Sequence, residues 1–150
     1  MNKPTERLYV DDGSIPLTQE ERWIANILRS RLRPPLLWEY GADPIEVEAG
    51  DERPFYYYPN FAIRNTETGR RLFLGINSVP GLSLLNLMNL GLISAAARRE
   101  GGDYLLFIES ELDPRIQRHL LNWEIPAVWL ARRDESKVMA AIEAALLSAA

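Results

Sequence analysis

Phe55-Tyr56-Tyr57-Tyr58-Pro59-Asn60-Phe61-Ala62-Ile63-Arg64 and, further on, Arg71-Leu72-Phe73-Leu74-Gly75-Ile76-Asn77 are the stretches that decide how this chain folds. Aromatic and branched residues dominate both, side chains that suit a pleated, half-buried surface. Asn65 to Gly69 between them has the composition of a polar turn, so the two runs predict an antiparallel hairpin. Strand alternation puts Gly75 and Asn77 on one face. It also groups Tyr57 with Phe55, Phe61 and Ile63, and Tyr56 and Tyr58 with Asn60.

Upstream of the hairpin, Thr18 reads as an N-cap, and Glu21 completes a Thr-x-x-Glu capping box for a helix over roughly 18 to 33. Ile24, Ile27, Leu28 and Leu32 give that helix an apolar face, and Pro34-Pro35 stops it. A strand at Leu36 to Tyr40 and a short second piece at Pro44 to Val47 follow. Downstream come a helix from Ser83 to Arg99 ended by Gly101-Gly102, and a buried-strand run at Tyr104 to Ile108. A short helix from Asp113-Pro114 to Asn122, a strand at Ala127 to Leu130 and a closing helix from Asp134 complete the chain. The expected organisation is an irregular N-terminal segment, 1–16, and a single α/β domain, 17–150. Its sheet is mixed and flanked by helices, with parallel crossovers in the last strands.

A chain of 150 residues, nearly half of them hydrophobic, can bury a full core as one domain. It has no cysteine, which excludes disulfides, thiolate metal sites and cysteine nucleophiles and fits a reducing compartment. The first residues, Met1 to Arg7, lack the apolar core of a secretory signal, so a cytoplasmic location is expected. Leu72 to Ala97 carry no charge, but Pro80, Gly81 and three asparagines interrupt them; strand, turn and buried helix explain the run better than a membrane span. The net charge of −4 disfavours strong nonspecific DNA affinity. Arginine outnumbers lysine fifteen to two, leaving local clusters for carboxylate or phosphate.

The element order together with Tyr58-Pro59-Asn60-Phe61 resembles the PD-(D/E)xK nuclease superfamily, and within it the small endonucleases that cut transposon ends. The resemblance spans roughly Leu17 to Leu130 and implies a restriction-endonuclease-like sheet flanked by helices. It also implies a magnesium site: an acid on the opening helix, matched by Glu21 with Glu20 beside it; an aspartate where Asn60 stands; and a glutamate and a lysine where Gly75 and Asn77 stand. Two carboxylates and a cation are what metal-assisted phosphodiester hydrolysis needs. Asn60, Gly75 and Asn77 supply none of them. These four positions are therefore vestigial candidates, and Glu21 has a second role available as the capping residue. Arg64 or Arg71 as a substitute cation, and Glu39, Glu46 or Glu109 as migrated acids, would be needed to restore cleavage.

The other constellations are sparse. His119 is the only histidine, which excludes multi-histidine metal sites, and there is no cofactor signature. Tyr56 and Tyr58 are candidates for stacking nucleic-acid bases, and Arg29, Arg31 and Arg33 for phosphate contacts; core packing and a solvated helix end are the competing readings. The helix bearing Leu84, Leu87, Met88 and Leu92 has more apolar surface than one sheet face needs. Those four residues are interface candidates, against the closing helix Val138 to Leu147 or a second subunit of a homodimer. The leading expectation is a catalytically inactive nuclease-fold subunit that binds a protein partner, with DNA as a further ligand. The alternatives are an active magnesium-dependent endonuclease with a rearranged site, and an oligomeric scaffold or regulator that does not bind nucleic acid.

Overall fold

Two sheets of opposite character organise the chain. The structure is a computed structural model and describes residues 18–41, 43–50, 52–77, 84–108, 113–129 and 133–147. The expected irregular segment 1–16 lies outside the described residues. In chain order the elements are α1 (Gln19–Arg31), β1 (Leu36–Tyr40), β2 (Ile45–Ala49), β3 (Glu52–Tyr57), β4 (Phe61–Asn65) and β5 (Arg71–Asn77). There follow α2 (Leu84–Arg99), β6 (Gly102–Ile108), α3 (Pro114–Asn122), β7 (Ala127–Trp129) and α4 (Glu135–Leu147). Strands β1, β4, β5, β6 and β7 form a five-stranded sheet in that order, and β2 and β3 form a separate two-stranded ribbon. The first three strands of the main sheet are antiparallel, whereas β6 and β7 run parallel to β5, as the alternation of helix and strand predicts.

The main sheet buries both faces. On one side α1 and α4 pack Ile24, Leu28, Val138 and Ile142 onto Phe61, Ile63, Leu72, Leu74, Leu105 and Phe107. On the other, α2, α3 and the β2–β3 ribbon pack Ile45, Val47, Ile93, Ala97 and Leu120 onto Ala62, Phe73, Tyr104 and Leu106. Burial on both faces explains why β6 reads as an unbroken apolar run. α2 packs against β2, β6 and α3, while α4, the intramolecular partner expected for its surplus apolar surface, lies across the opposite face against β5, β6 and β7. Among the described residues no helix is long and apolar enough to cross a membrane.

One element differs from the sequence reading. The run from Phe55 to Arg64 is two strands in two sheets, broken at residues 58–60. Pro59 has no N–H to donate to a ladder, and at Asn60 the chain bends. Tyr57 and Phe55 consequently pack with the α2-side core, whereas Phe61 and Ile63 face α1 and α4 on the other side. A strand that changes sheet does not carry its alternation through the break, which is why the expected grouping of Tyr57 with Phe61 fails.

Candidate functional site

The first turn of α1 meets the end of the β4–β5 hairpin. Thr18 and Glu21 form the capping box the sequence predicts: the Thr18 hydroxyl accepts from the Glu21 N–H at 3.1 Å, and Glu21 Oε1 accepts from the Thr18 N–H at 3.0 Å. The same carboxylate reaches the sheet. Glu21 is only 8% exposed, and its Oε2 accepts a 3.0 Å hydrogen bond from Asn60 Nδ2. Asn60 Oδ1 in turn accepts from the Ile76 N–H at 2.9 Å, and the Asn60 N–H donates to the Leu74 carbonyl at 2.9 Å. The Asn60 side chain thus continues the β4–β5 ladder past Phe61 and ties it to the helix. Of the roles weighed from sequence for Glu21, the capping box is present, and the same side chain also anchors the helix to the sheet. Beside it, the Tyr40 phenol is held above its ordinary pKa by burial first, and then by the charge of Glu21 and a hydrogen bond to it.

On the opposite face of β5, the space a side chain at Gly75 would fill is already occupied. A Cβ there would overlap the hydroxyl oxygens of both Tyr104 and Tyr57 and stand 2.9 Å from Tyr104 Cζ. The two hydroxyls hydrogen-bond to each other at 2.9 Å, and their rings meet edge to face at 82° with centroids 5.6 Å apart. Burial pushes the Tyr57 phenol up to about 12, the bond to Tyr104 opposing part of the rise, and raises the fully enclosed Tyr104 well above its ordinary value. Both remain neutral at physiological pH. Sequence reasoning did not find this pair, because it joins a ribbon strand to a central strand 47 positions later.

Other expected site residues are dispersed. Asn77 pairs with Ile108 in the ladder, and its side chain lies outside the described residues, as does Glu109. Arg64 and Arg71 face each other across the hairpin at its far end from Asn77, about 20 Å along a seven-residue strand. Arg71 lies over the Phe73 ring and pairs with Glu100 at 3.4 Å. Glu46 is exposed on β2 and accepts a 3.3 Å hydrogen bond from Tyr56, and Glu39 is placed opposite Ala62 on β1. Among the described residues, no group of three or more His, Cys, Asp or Glu is placed to hold a metal ion.

Tyr56 and Tyr58 are 58% and 68% exposed. They lie near the Asn60 end of the sheet, while the last turn of α1, with Arg29 and Arg31, leads through Arg33 to Leu36, which pairs with Asn65 at the other end. The tyrosines and these arginines therefore do not form one surface. Arg31 pairs with Glu135 at 3.3 Å, Arg29 bonds Asn26, and Arg33 bonds the Leu32 carbonyl. Of the interface candidates, Met88 is 55% exposed and Leu92 packs partly buried on the α2-side core; the side chains of Leu84 and Leu87 lie outside the described residues. Concavities of about 600 and 540 Å³ occur away from Asn60. One lies at the Arg70–Asp103 corner and the other beside Met88, Leu92 and Trp123.

No protein-family model and no curated protein matches the chain. Among solved structures it is similar to MunI restriction endonuclease in complex with cognate DNA. The identity is 16% and the TM-score 0.43, over 91% of this chain and 75% of that one.

Proposed function

We propose that this chain is a non-cleaving protein of nuclease-like plan that works as a binding or assembly subunit for a protein partner, with DNA as a further ligand. The observation that carries this reading is the filled space at Gly75. Where the resembling family keeps a metal-binding carboxylate, two tyrosine hydroxyls occupy the space and bond to each other. Asn60 adds support, because both ends of its amide are committed to internal hydrogen bonds and it offers no negative charge to a divalent cation. The element order expected from the resemblance supports the nuclease-like plan, and the exposed Tyr56 and Tyr58 support a binding role.

A scaffold or regulator without nucleic acid is the second reading, favoured by the packed surroundings of Gly75 and the net charge of −4. One assay separates these from the active-enzyme alternative: labelled single- and double-stranded DNA with the purified protein in Mg²⁺, Mn²⁺ or EDTA, followed for both mobility and cleavage. Mobility shift without cleavage is the expected result. Neither shift nor cleavage selects the scaffold. Metal-dependent cleavage abolished by Glu21→Ala overturns both.

A further inference from the structure

The charges of this chain are segregated along the main sheet. Its Leu36–Asn65–Arg71–Gly102 end gathers the arginines of the last turns of α1 and α2 with Arg64, Arg70 and Arg71 of the hairpin. Asp103 and Glu100 offset part of this charge through Arg70 at 2.7 Å and Arg71 at 3.4 Å. Arg64 is exposed and has no charged partner among the described residues. The chain as a whole is acidic at −4, so the acidic excess lies elsewhere. The β2–β3 ribbon carries some of it, exposing Glu46 and Glu48 beside Tyr56 against a single exposed cation among its described side chains, Arg53.

Arg64 and the ribbon lie at opposite ends of the same side of the sheet, whereas the α1 arginines belong to the other side. Arg64 has the strand parity of Ala62, which packs in the α2-side core, and the ribbon packs onto that same core through Ile45 and Val47. The ribbon reaches the far end, since Tyr57 touches Gly75 and Tyr58 leads through Asn60 into the start of β4.

We propose that two copies of this chain pair antiparallel about a twofold axis, each laying its Arg64 end on the acidic, tyrosine-bearing β2–β3 ribbon of the other. Charge complementarity selects a second copy as the occupant: one chain presents both the basic and the acidic half, and a twofold pair satisfies both contacts at once. The exposed tyrosine faces add a surface on which guanidinium groups stack. The pairing is independent of whether the chain cleaves or binds DNA, so it stands or fails separately from the proposed function.

Sedimentation velocity over a concentration series, in low and in high salt, tests it. The expected result is a reversible dimer that weakens as salt rises. Arg64→Glu and Glu46→Arg should each weaken dimerisation about tenfold or more, because each repeats its like-charge clash twice across the axis. Mixing the two variants should restore it, since one contact is then native and the other charge-reversed. Both substitutions are at exposed positions, and circular dichroism checks that each variant is folded. A monomer throughout in low salt, oligomers growing past the dimer, a dimer indifferent to both substitutions, or failure of the mixture to recover would overturn the proposal.

Discussion

Gly75→Ala tests the filled cavity most directly. The added methyl would overlap the hydroxyls of Tyr57 and Tyr104, and Tyr104 is 2% exposed within the α2-side core. Overpacking of this kind costs about 1–3 kcal/mol. Separating the two hydroxyls to make room strands a buried hydrogen-bonding group, which costs about 1–3 kcal/mol more. We expect a combined loss of roughly 3–5 kcal/mol, hence a Tm lower by about 10–15 °C for a domain of this size. Urea and thermal denaturation followed by circular dichroism measure it. The decisive comparison is the same substitution in a Tyr57→Phe/Tyr104→Phe background, where both obstructing oxygens are gone and the rings can ease into the vacated space. There Gly75→Ala should cost under about 1 kcal/mol, giving a coupling energy of about 2–4 kcal/mol between position 75 and the hydroxyl pair. Equal costs in the two backgrounds would show that the hydroxyls do not fill this space, and the main support for a non-cleaving site would fall with them.

Glu21→Ala should cost about 2–4 kcal/mol, more than the roughly 0.5–2 kcal/mol of a lost cap, because it also strands Asn60 Nδ2; the excess should vanish in an Asn60→Ala background, and a cost confined to the capping range would refute the link. Asn60→Asp should destabilise by roughly 3 kcal/mol or more at neutral pH, replacing a charge-assisted hydrogen bond with two carboxylates in contact. Each of those carboxylates would have its pKa raised by the other, so the deficit should shrink as pH falls below about 5, and millimolar Mn²⁺ should shrink it at neutral pH. A deficit indifferent to both acid and metal would argue against a vestigial cation site. Alkali supplies a further test, since raised pKa values mean that Tyr57 and Tyr104 contribute stability fully present below pH 10 and lost as pH rises through their raised values, about 12 for Tyr57. For Tyr57 alone this amounts to roughly 2–3 kcal/mol. Urea titrations across this range should show a steeper decline for the native chain than for the Tyr57→Phe/Tyr104→Phe variant, and parallel curves would contradict the assigned burial.

Local signals carried most of the fold. Thr18 and Glu21, with two residues between them, define the start of α1, and the boundaries of β1 and α3 follow from turn residues and periodicity beside them, whereas β6 begins at Gly102, two residues before the apolar run that marks it in the sequence. What was not legible depends on contacts made across the fold. Pro59 marks an interruption, but nothing nearby says that the chain leaves one sheet for another there, because that choice is made by Ile45 and Val47 packing on α2. The site divides in the same way. Asn60 as an uncharged residue could be read directly, whereas its use as a ladder acceptor for Ile76 requires the hairpin register. Gly75 shows the limit most clearly: from sequence it is a missing carboxylate, and in three dimensions it is the absence of a side chain that Tyr57 and Tyr104 require. A glycine that merely lost a function would tolerate the smallest side chain. Here the neighbours have taken the space, so putting back the acid would first require moving two buried aromatic rings from different sheets.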